Sequence, residues 1–323
     1  MRNAGSLLVV TLWLVAILSV LAIAIARSLS LEIRLAKYRL AREQARTLAR
    51  GGVYAAMQRL DHDARQPNEG YDWLADDWAT FADTESEPED PTTWLLRLEP
   101  DDEESARTAV RIVDEERKLT LNRIINDPTV YRALGTLLDA PALAARLFDY
   151  LDADADALDP DGLEVDDAVQ PPYTAKNGPL VAHEEVLSIP GWSGEELDVL
   201  RQWTTVAEPS AKLNINTVAP EVLVALGFSE AAAQAIADCR QQGVIFDDPS
   251  TLLTTAESCV GAAGISPAEQ SLLANQFGVA SRTFTVISEG IVQEPPVRAR
   301  VEAIVQRSLD GATAPQILAW REP

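Results

Sequence analysis

The chain has few of the side chains on which most enzymes depend. Its 323 residues include only two histidines, His62 and His183, and two cysteines. Neither histidine lies in a serine or cysteine motif, and no G-x-S-x-G or phosphate-loop signature occurs. The sequence therefore predicts a protein that is not an enzyme.

Basic residues are scarce beyond Leu60. Up to that position nine Lys and Arg residues stand against two Asp and Glu, whereas the remainder holds 18 basic and 48 acidic residues. The body after Leu60 thus carries a formal charge of −30 in a chain whose net charge is −23. Such a body repels nucleic acid and should be highly soluble, so we expect no nucleic acid among its partners.

Charged residues are absent from Ala4 to Ile25. At ~1.5 Å per residue, a helix over these 22 positions spans the ~30 Å hydrocarbon core of a bilayer. The alternative is a cleaved signal peptide ending at Ala26. The apolar run is too long for one, however, and its basic region is Arg2 alone. The sequence therefore predicts one membrane helix that carries a large body.

The membrane helix is predicted to continue well beyond Arg27. No proline occurs up to Leu60, and one face carries regularly spaced apolar residues: Leu29, Ile33, Ala36, Leu40, Ala45, Leu48, Val53, Ala56 and Leu60. We expect one helix of more than fifty residues, with Gly51-Gly52 as its weakest point. Because most flanking cations follow the apolar run, charge alone would place the body in the cytoplasm.

The two cysteines, Cys239 and Cys259, lie twenty positions apart. They are either two buried free thiols, which behave as small apolar side chains, or a disulfide formed in an oxidising compartment.

An acidic cluster occupies residues 149–167. It holds nine carboxylates in nineteen residues: Asp149, Asp152, Asp154, Asp156, Asp159, Asp161, Glu164, Asp166 and Asp167. Mutual repulsion opposes a compact loop unless cations compensate, and oxygen ligands in a flexible loop suit Ca²⁺. An EF-hand is excluded, because its glycine would fall at Ala157 and its glutamate at Leu163. The cluster is either a solvated loop or a calcium site.

Two segments of the chain are related. Lys118–Ile124 matches Lys212–Val218, and each precedes a helical pattern, at Tyr131–Leu151 and Pro220–Gln241. We interpret them as two helical subdomains, similar to SAM or helix-hairpin-helix units. Acidic residues at the hairpin turns would compete with phosphate, which disfavours DNA binding: Glu195, Glu196, Glu221 and Glu230.

The flanks of this helical region predict strands. Apolar residues alternate or concentrate at Thr92–Leu98, Arg107–Val113, Thr283–Ile291, Val297–Arg307 and Ile317–Trp320. The predicted fold class is α+β: a long N-terminal helix packed on an antiparallel sheet, with a large inserted all-α domain.

Motifs along the chain resemble the K-type minor pseudopilins of type II secretion systems. They are Asp149–Asp154, the Gly162–Asp167 element, Pro171-Pro172-Tyr173, Asn177–Leu180, Ile189-Pro190-Gly191 and Leu213–Thr217. The N-terminus resembles a prepilin leader cleaved between Gly5 and Ser6. Val10 stands where other pseudopilins carry a glutamate, and the K type lacks that glutamate.

The resemblance implies a domain plan for the chain. It comprises a leader (1–5), a transmembrane half-helix (6–26), an amphipathic half-helix (27–60), the first part of a pilin-like domain (61–118), a helical insert (119–277) with its calcium loop (149–167), and C-terminal strands (278–323). One or two Ca²⁺ ions are expected, with Asp152, Asp154, Glu164 and Asp167 as ligands and Asp149, Asp156 and Asp166 as further candidates.

The resemblance also implies a function and a location. We expect a single-pass inner-membrane protein, with its body in the periplasm, that acts at the pseudopilus tip and primes assembly. The implied partners are the I- and J-type minor pseudopilins, other pseudopilins and the prepilin peptidase. The alternatives are a membrane-anchored DNA receptor with helix-hairpin-helix units and a generic anchored periplasmic binding module.

Overall fold

The computed structural model of the chain describes residues 4–66, 70–79, 93–96, 106–158, 160–207, 212–261 and 264–322. Within these ranges the α-helices are α1 (Ala4–Ala64), α2 (Pro128–Leu138), α3 (Pro141–Leu151), α4 (Gly194–Trp203), α5 (Pro220–Leu226), α6 (Glu230–Gln241), α7 (Leu252–Val260) and α8 (Pro267–Gln276). The strands are β1 (Thr93–Leu96), β2 (Ala106–Asp114), β3 (Leu119–Thr120), β4 (Val165–Asp166), β5 (Tyr173–Thr174), β6 (Thr204–Thr205), β7 (Leu213–Asn214), β8 (Phe277–Gly278), β9 (Thr283–Val292), β10 (Val297–Gln306) and β11 (Gln316–Arg321).

Helix α1 is a single element of 61 residues that passes through Gly51 and Gly52 without a break. Gly52 lies against the sheet, where an added Cβ would come within 2.6 Å of the Thr108 methyl group and 2.8 Å of a Val110 methyl group. The glycine therefore allows the helix backbone to approach the sheet closely.

Only the later part of the predicted apolar face of α1 is buried. Burial begins at Ala41 and includes Ala45, whereas Leu29, Ile33 and Leu40 are each more than half exposed. The sheet accounts for this limit, because Ala41 and Ala45 pack on its end near Val292. The first 37 residues of the helix, up to Leu40, thus extend from the body.

The sheet is antiparallel throughout, with strand order β1-β2-β9-β10-β11. The predicted strands are confirmed. β1 covers the described part of Thr92–Leu98, and the turn at Pro295-Pro296 joins β9 to β10. Val53, Ala56 and Leu60 of α1 pack on the sheet in a core that contains Phe284 and Val286. The predicted α+β, pilin-like class is therefore the observed one.

The helical region lies between the end of β2 and the start of β9. Each predicted helical pattern divides into two helices. The first pattern divides at Asp139, which caps α2 in the left-handed conformation (φ 48°) before Pro141 begins α3. Gly227 separates α5 from α6 in the same manner. Two apolar cores result, one around α2 and α3 and one around α5 and α6.

The two related segments have the same local design. Asn122 donates to the carbonyl oxygens of Leu180 and Val206, at 3.1 and 3.2 Å, and accepts from the Leu180 amide at 2.8 Å. Asn216, its counterpart, donates to the carbonyls of Phe246 and Val279 and accepts from the Phe246 amide at 2.9 Å. Each asparagine therefore holds distant segments of the chain, through three hydrogen bonds, at the start of its own subdomain.

Cys239 of α6 and Cys259 of α7 form a disulfide. Replacing both cysteines by serine is expected to lower the free energy of unfolding by about 3 kcal/mol, because the bond closes a loop of about twenty residues. Chemical denaturation of the two forms measures the difference. Two alkylatable thiols in the native, unreduced protein would contradict the bond.

A buried polar network joins α1, the sheet and the insert. Arg307 follows β10 and pairs with Asp63 of α1, at 2.5 Å, and with Asp72. Asp114 ends β2 and accepts from the Thr217 hydroxyl at 2.5 Å. All five side chains are at most 8 % exposed. Because the partners lie on separate elements, the network fixes the insert against the helix and the sheet.

The stability of the folded protein depends on pH through Asp76, which lies near this network. Burial raises the pKa of Asp76 to about 7, although the Trp73 amide and the Trp78 indole N–H donate to its carboxylate. The folded protein therefore binds this proton more tightly than the unfolded chain. The stabilisation is full below about pH 4 and is lost as the pH rises through 7.

Between pH 8 and pH 5 this single group should add about 2–3 kcal/mol to the free energy of unfolding. Urea denaturation at both pH values is expected to show this gain in the wild type and a correspondingly smaller gain in Asp76→Asn. Equal gains in the two proteins would contradict the assignment.

Candidate metal site

The acidic loop lies between the end of α3 and the short β4–β5 hairpin. Asp149 occupies the last turn of α3, and Asp152 caps that helix with extended backbone. The β4–β5 pairing folds the chain back, and the Ala175 amide donates to the Glu164 carbonyl at 2.8 Å. One carboxylate oxygen from each of Asp149, Asp152 and Glu164 lies within 4.8 Å of the others.

The loop wraps around the Asp149 carboxylate. Asp149 is fully buried, and both of its oxygens accept from the Leu158 amide, at 3.1 and 3.2 Å. Gly162 lies in the same wrap, where any Cβ would clash with Asp149 Oδ2 and the Leu158 backbone. The glycine of the acidic motif is therefore required by close approach to the first carboxylate.

Two of the carboxylate oxygens have no protein partner. Asp152 Oδ1 and Glu164 Oε1 are buried without a hydrogen-bond partner, and the Tyr173 hydroxyl is in the same condition. Burial, followed by repulsion from neighbouring carboxylates, raises the pKa of both Asp152 and Glu164. Burial likewise raises the pKa of Asp149. The cluster is thus an arrangement of anionic oxygens that a bound cation would stabilise.

The structure brings together three of the seven predicted ligands: Asp149, Asp152 and Glu164. Asp154 and Asp156 lie close enough to raise the pKa of Glu164, but both are exposed, and the Asp154 side chain accepts from the Asp156 amide at 2.9 Å. Asp159 lies outside the described residues.

Asp166 and Asp167 are not part of the three-carboxylate group among the described residues. Asp166 pairs with Tyr173 in the hairpin, and its side chain accepts from the Ala168 amide at 2.9 Å. Asp167 is exposed. The sequence identified the acidic loop, but it ranked Asp167 above the fully buried Asp149.

Asn177 is a structural residue of the loop that sequence reasoning did not assign. Its side-chain amide donates to the Asp154 carbonyl at 2.6 Å, and its backbone is left-handed (φ 51°). The Asn177-Gly178 dipeptide was the available signal, because Asn before Gly favours this conformation in turns.

The donor set of the site is made of oxygen alone. Carboxylates without histidine or cysteine suit Ca²⁺, which takes six to eight oxygens, rather than zinc. Asp149, Asp152 and Glu164 would hold the ion, which would supply the positive charge that the buried oxygens lack. The arrangement fits a structural cation that ties the end of α3 to the β4–β5 hairpin.

Glutamate side chains of the insert accept hydrogen bonds at the starts of two of its helices. Glu196 accepts from the Ser193 amide and hydroxyl at the start of α4, and Glu269 accepts from the Ser229 amide at the start of α6. Carboxylates therefore occupy the turns where a phosphate would have to bind.

The predicted assembly stem is the first part of α1. Its most apolar window has a mean hydropathy of 2.8 and no buried residue, so by length and composition the helix can cross a membrane. Val10 is 54 % exposed, and Gly5 and Ser6 are helical positions.

Comparison with known proteins gives a family match and several structural matches. Residues 118–209 match the first-domain family model of protein K of the type II secretion system. Over 92 % of this chain and 99 % of the other, the fold is similar to a chain in the crystal structure of the GspK-GspI-GspJ complex from enterotoxigenic Escherichia coli, with a TM-score of 0.64 and 19 % identity. No curated protein sequence matches significantly.

The family match supports the predicted family resemblance of the insert, whereas the structural match supports the predicted fold. The matched family segment contains α2, α3, α4 and the acidic loop, so the resemblance to K-type minor pseudopilins is confirmed there. The structural likeness confirms the pilin-like fold over most of the chain.

Proposed function

We propose that this chain is a minor pseudopilin of the K type, placed at the tip of a type II secretion pseudopilus. It would help to initiate pseudopilus assembly and protein export across the outer membrane. The observation that carries the proposal is the family match of the insert, residues 118–209, on a chain with a pilin-like stem and sheet.

The shape of the chain supports a place at the tip. The insert interrupts the sheet between β2 and β9 and contains seven of the eight described α-helices. A domain of this bulk would not fit between helically stacked subunits. Val10 lacks the carboxylate that would meet the amine of a further subunit. A subunit with nothing above it has no need of that contact.

We further propose that the stem starts in the inner membrane, with the body in the periplasm, and is then drawn into the pseudopilus. The exposed residues of α1 before Ala41 would contact lipid first and neighbouring pseudopilin helices later. The disulfide suits an oxidising compartment, and this outweighs the charge pattern that points to the cytoplasm.

The partners proposed are an I-type and a J-type minor pseudopilin. The similar solved chain comes from a complex of GspK with GspI and GspJ.

Leader processing tests the proposal at its first step. Coexpression with a prepilin peptidase should yield a protein whose N-terminus is Ser6, measured by intact mass and N-terminal sequencing. Substitution of Gly5 by a bulky residue should leave Met1 in place. A wild-type N-terminus at Met1, or one that follows Ala26, would overturn the proposal.

The acidic loop is proposed to bind Ca²⁺ through Asp149, Asp152 and Glu164. The unpartnered buried oxygens Asp152 Oδ1 and Glu164 Oε1 support this. The ion would hold the loop against α3, and the loop lies in the segment that matches protein K.

A further inference from the structure

A cationic cavity lies between the sheet and the insert of this acidic chain. It has a volume of about 820 Å³ and is bounded by β2, by residues 73–75 and by the facing ends of α4, α5 and α6. Five of its lining residues are cationic: Arg111, Arg117, Lys118, Arg201 and Arg240. Glu221 is the single carboxylate among the described lining residues.

Two of these cations form no ion pair with a described residue, although the charge of Arg117 acts on the buried Asp114 and offsets part of the rise that burial causes in the pKa of that carboxyl. Lys118 pairs with Glu115 at 3.0 Å, and Arg201 pairs with Glu184 at 2.8 Å. Among the described residues, by contrast, neither Arg117 nor Arg240 forms an ion pair.

Arg240 is held in position by the backbone. Its guanidinium donates to the carbonyls of Ile215 and Val218, at 2.8 and 2.7 Å. Burial and then repulsion from Arg117 lower the pKa of Arg240 to about 10. Two like charges are therefore kept close together, and an anion between them would relieve their repulsion.

The cavity continues into an apolar groove of about 720 Å³. The two share Trp203, Pro220, Glu221 and Gln234, and the groove extends along Leu137, Val224 and Ala233. Together they exceed the ~300–1,000 Å³ of most small-molecule pockets. Glu221 at the junction and Glu230 on the groove would repel a carboxylate, so an anionic group fits at the arginine end.

We propose that this joined groove binds an extended peptide segment of another protein, with carboxylate side chains at Arg117 and Arg240 and apolar side chains along Leu137 and Val224. Arginine pairs with carboxylates in fork geometry, and partial burial strengthens such pairs relative to exposed ones. Neither α1 nor the acidic loop (149–167) contributes a described lining residue to this groove.

Fluorescence anisotropy with the full-length protein in nonionic detergent tests the proposal. The probe is a dye-labelled octapeptide of four glutamates followed by four leucines. Control probes replace the glutamates by lysines or the leucines by serines. Binding of the first probe only, weakened by salt, is the expected result.

Arg117→Glu is expected to raise the dissociation constant of the acidic probe at least about tenfold. Arg298→Glu, the same charge change at an exposed position of β10, should alter it by less than about twofold. Melting curves establish that both variants fold. Arg117→Gln replaces Arg117→Glu if the latter does not fold, and a smaller loss of affinity is then expected.

Three outcomes would overturn the proposal. In the first, the acidic probe fails to bind. In the second, both charge variants weaken the binding of the acidic probe equally, which would mark non-specific attraction. In the third, the serine probe binds as well as the leucine probe and citrate displaces both, which would mark a small-anion site instead of a peptide groove.

Discussion

Calcium added to the chelator-treated full-length protein is expected to raise its melting temperature by about 5–10 °C at about one hundred times the dissociation constant. Binding to the folded state alone contributes about 2.7 kcal/mol under these conditions, and a domain of this size gains about 2–4 °C per kcal/mol. The ion would satisfy the buried oxygens of Asp152 and Glu164 and offset the repulsion among the three carboxylates.

Variants locate the source of this shift. Glu164→Gln removes one anionic oxygen from the cluster and should abolish most of the response to calcium. Asp198→Asn changes an exposed carboxylate on α4, 78 % exposed, and should leave the response intact. Asp167→Asn distinguishes the two candidate ligand sets. Loss of the calcium response in this variant would favour the set predicted from the sequence, which includes Asp167, over the three carboxylates that the structure brings together.

Magnesium serves as the ionic-strength control, because its strict octahedral geometry at ~2.0–2.1 Å suits this flexible loop poorly. Differential scanning fluorimetry with each ion gives the comparison. A melting temperature that calcium leaves unchanged, or that magnesium raises equally, would contradict the site.

Replacing Arg307 by methionine should lower the free energy of unfolding by about 3–5 kcal/mol, because it removes one partner of a buried ion-pair network. The side chain is 5 % exposed, pairs with Asp63 and Asp72, and donates to the Leu60 carbonyl at 3.2 Å. Its loss would leave two buried carboxylates without a counter-charge at the junction of α1, the sheet and the insert. A fall of about 10 °C in melting temperature is expected.

The matched control is Arg300→Met on β10, where the arginine is exposed and lies 3.8 Å from Glu302. It should change the stability by less than about 1 kcal/mol. Burial raises the pKa of Asp72 to about 6 in spite of the attraction of Arg307. The cost of Arg307→Met should therefore be smaller at pH 5 than at pH 8. Equal melting temperatures for Arg307→Met and wild type would contradict the role of the network.

The stem and the sheet could be predicted because their signals are local. The apolar run of α1 and the alternation in β2, β9 and β10 are short-range periodicities, and the observed elements follow them closely. The boundary between α2 and α3 was not predicted, although Pro141 was visible, because the left-handed cap at Asp139 depends on how α2 meets α3.

The candidate site was predictable only as a region. Nine carboxylates identify an acidic loop, but the fold decides which of them lie together at the candidate cation site. The β4–β5 pairing returns Glu164 to the end of α3, while Asp166 is used within the hairpin. No local pattern could bring Arg307 to Asp72, 235 positions away, or Arg117 to the cavity shared with Arg240.

Coexpression of the full-length chain with the candidate I- and J-type minor pseudopilins from the same secretion system tests the central claim most directly. Affinity purification on this chain, followed by native mass spectrometry in detergent, should recover one complex that contains all three proteins. Arg307→Met, which loosens the body, should lower its yield, whereas Arg300→Met should not. An I–J complex that forms while this chain purifies alone, folded and processed, would contradict the tip assignment.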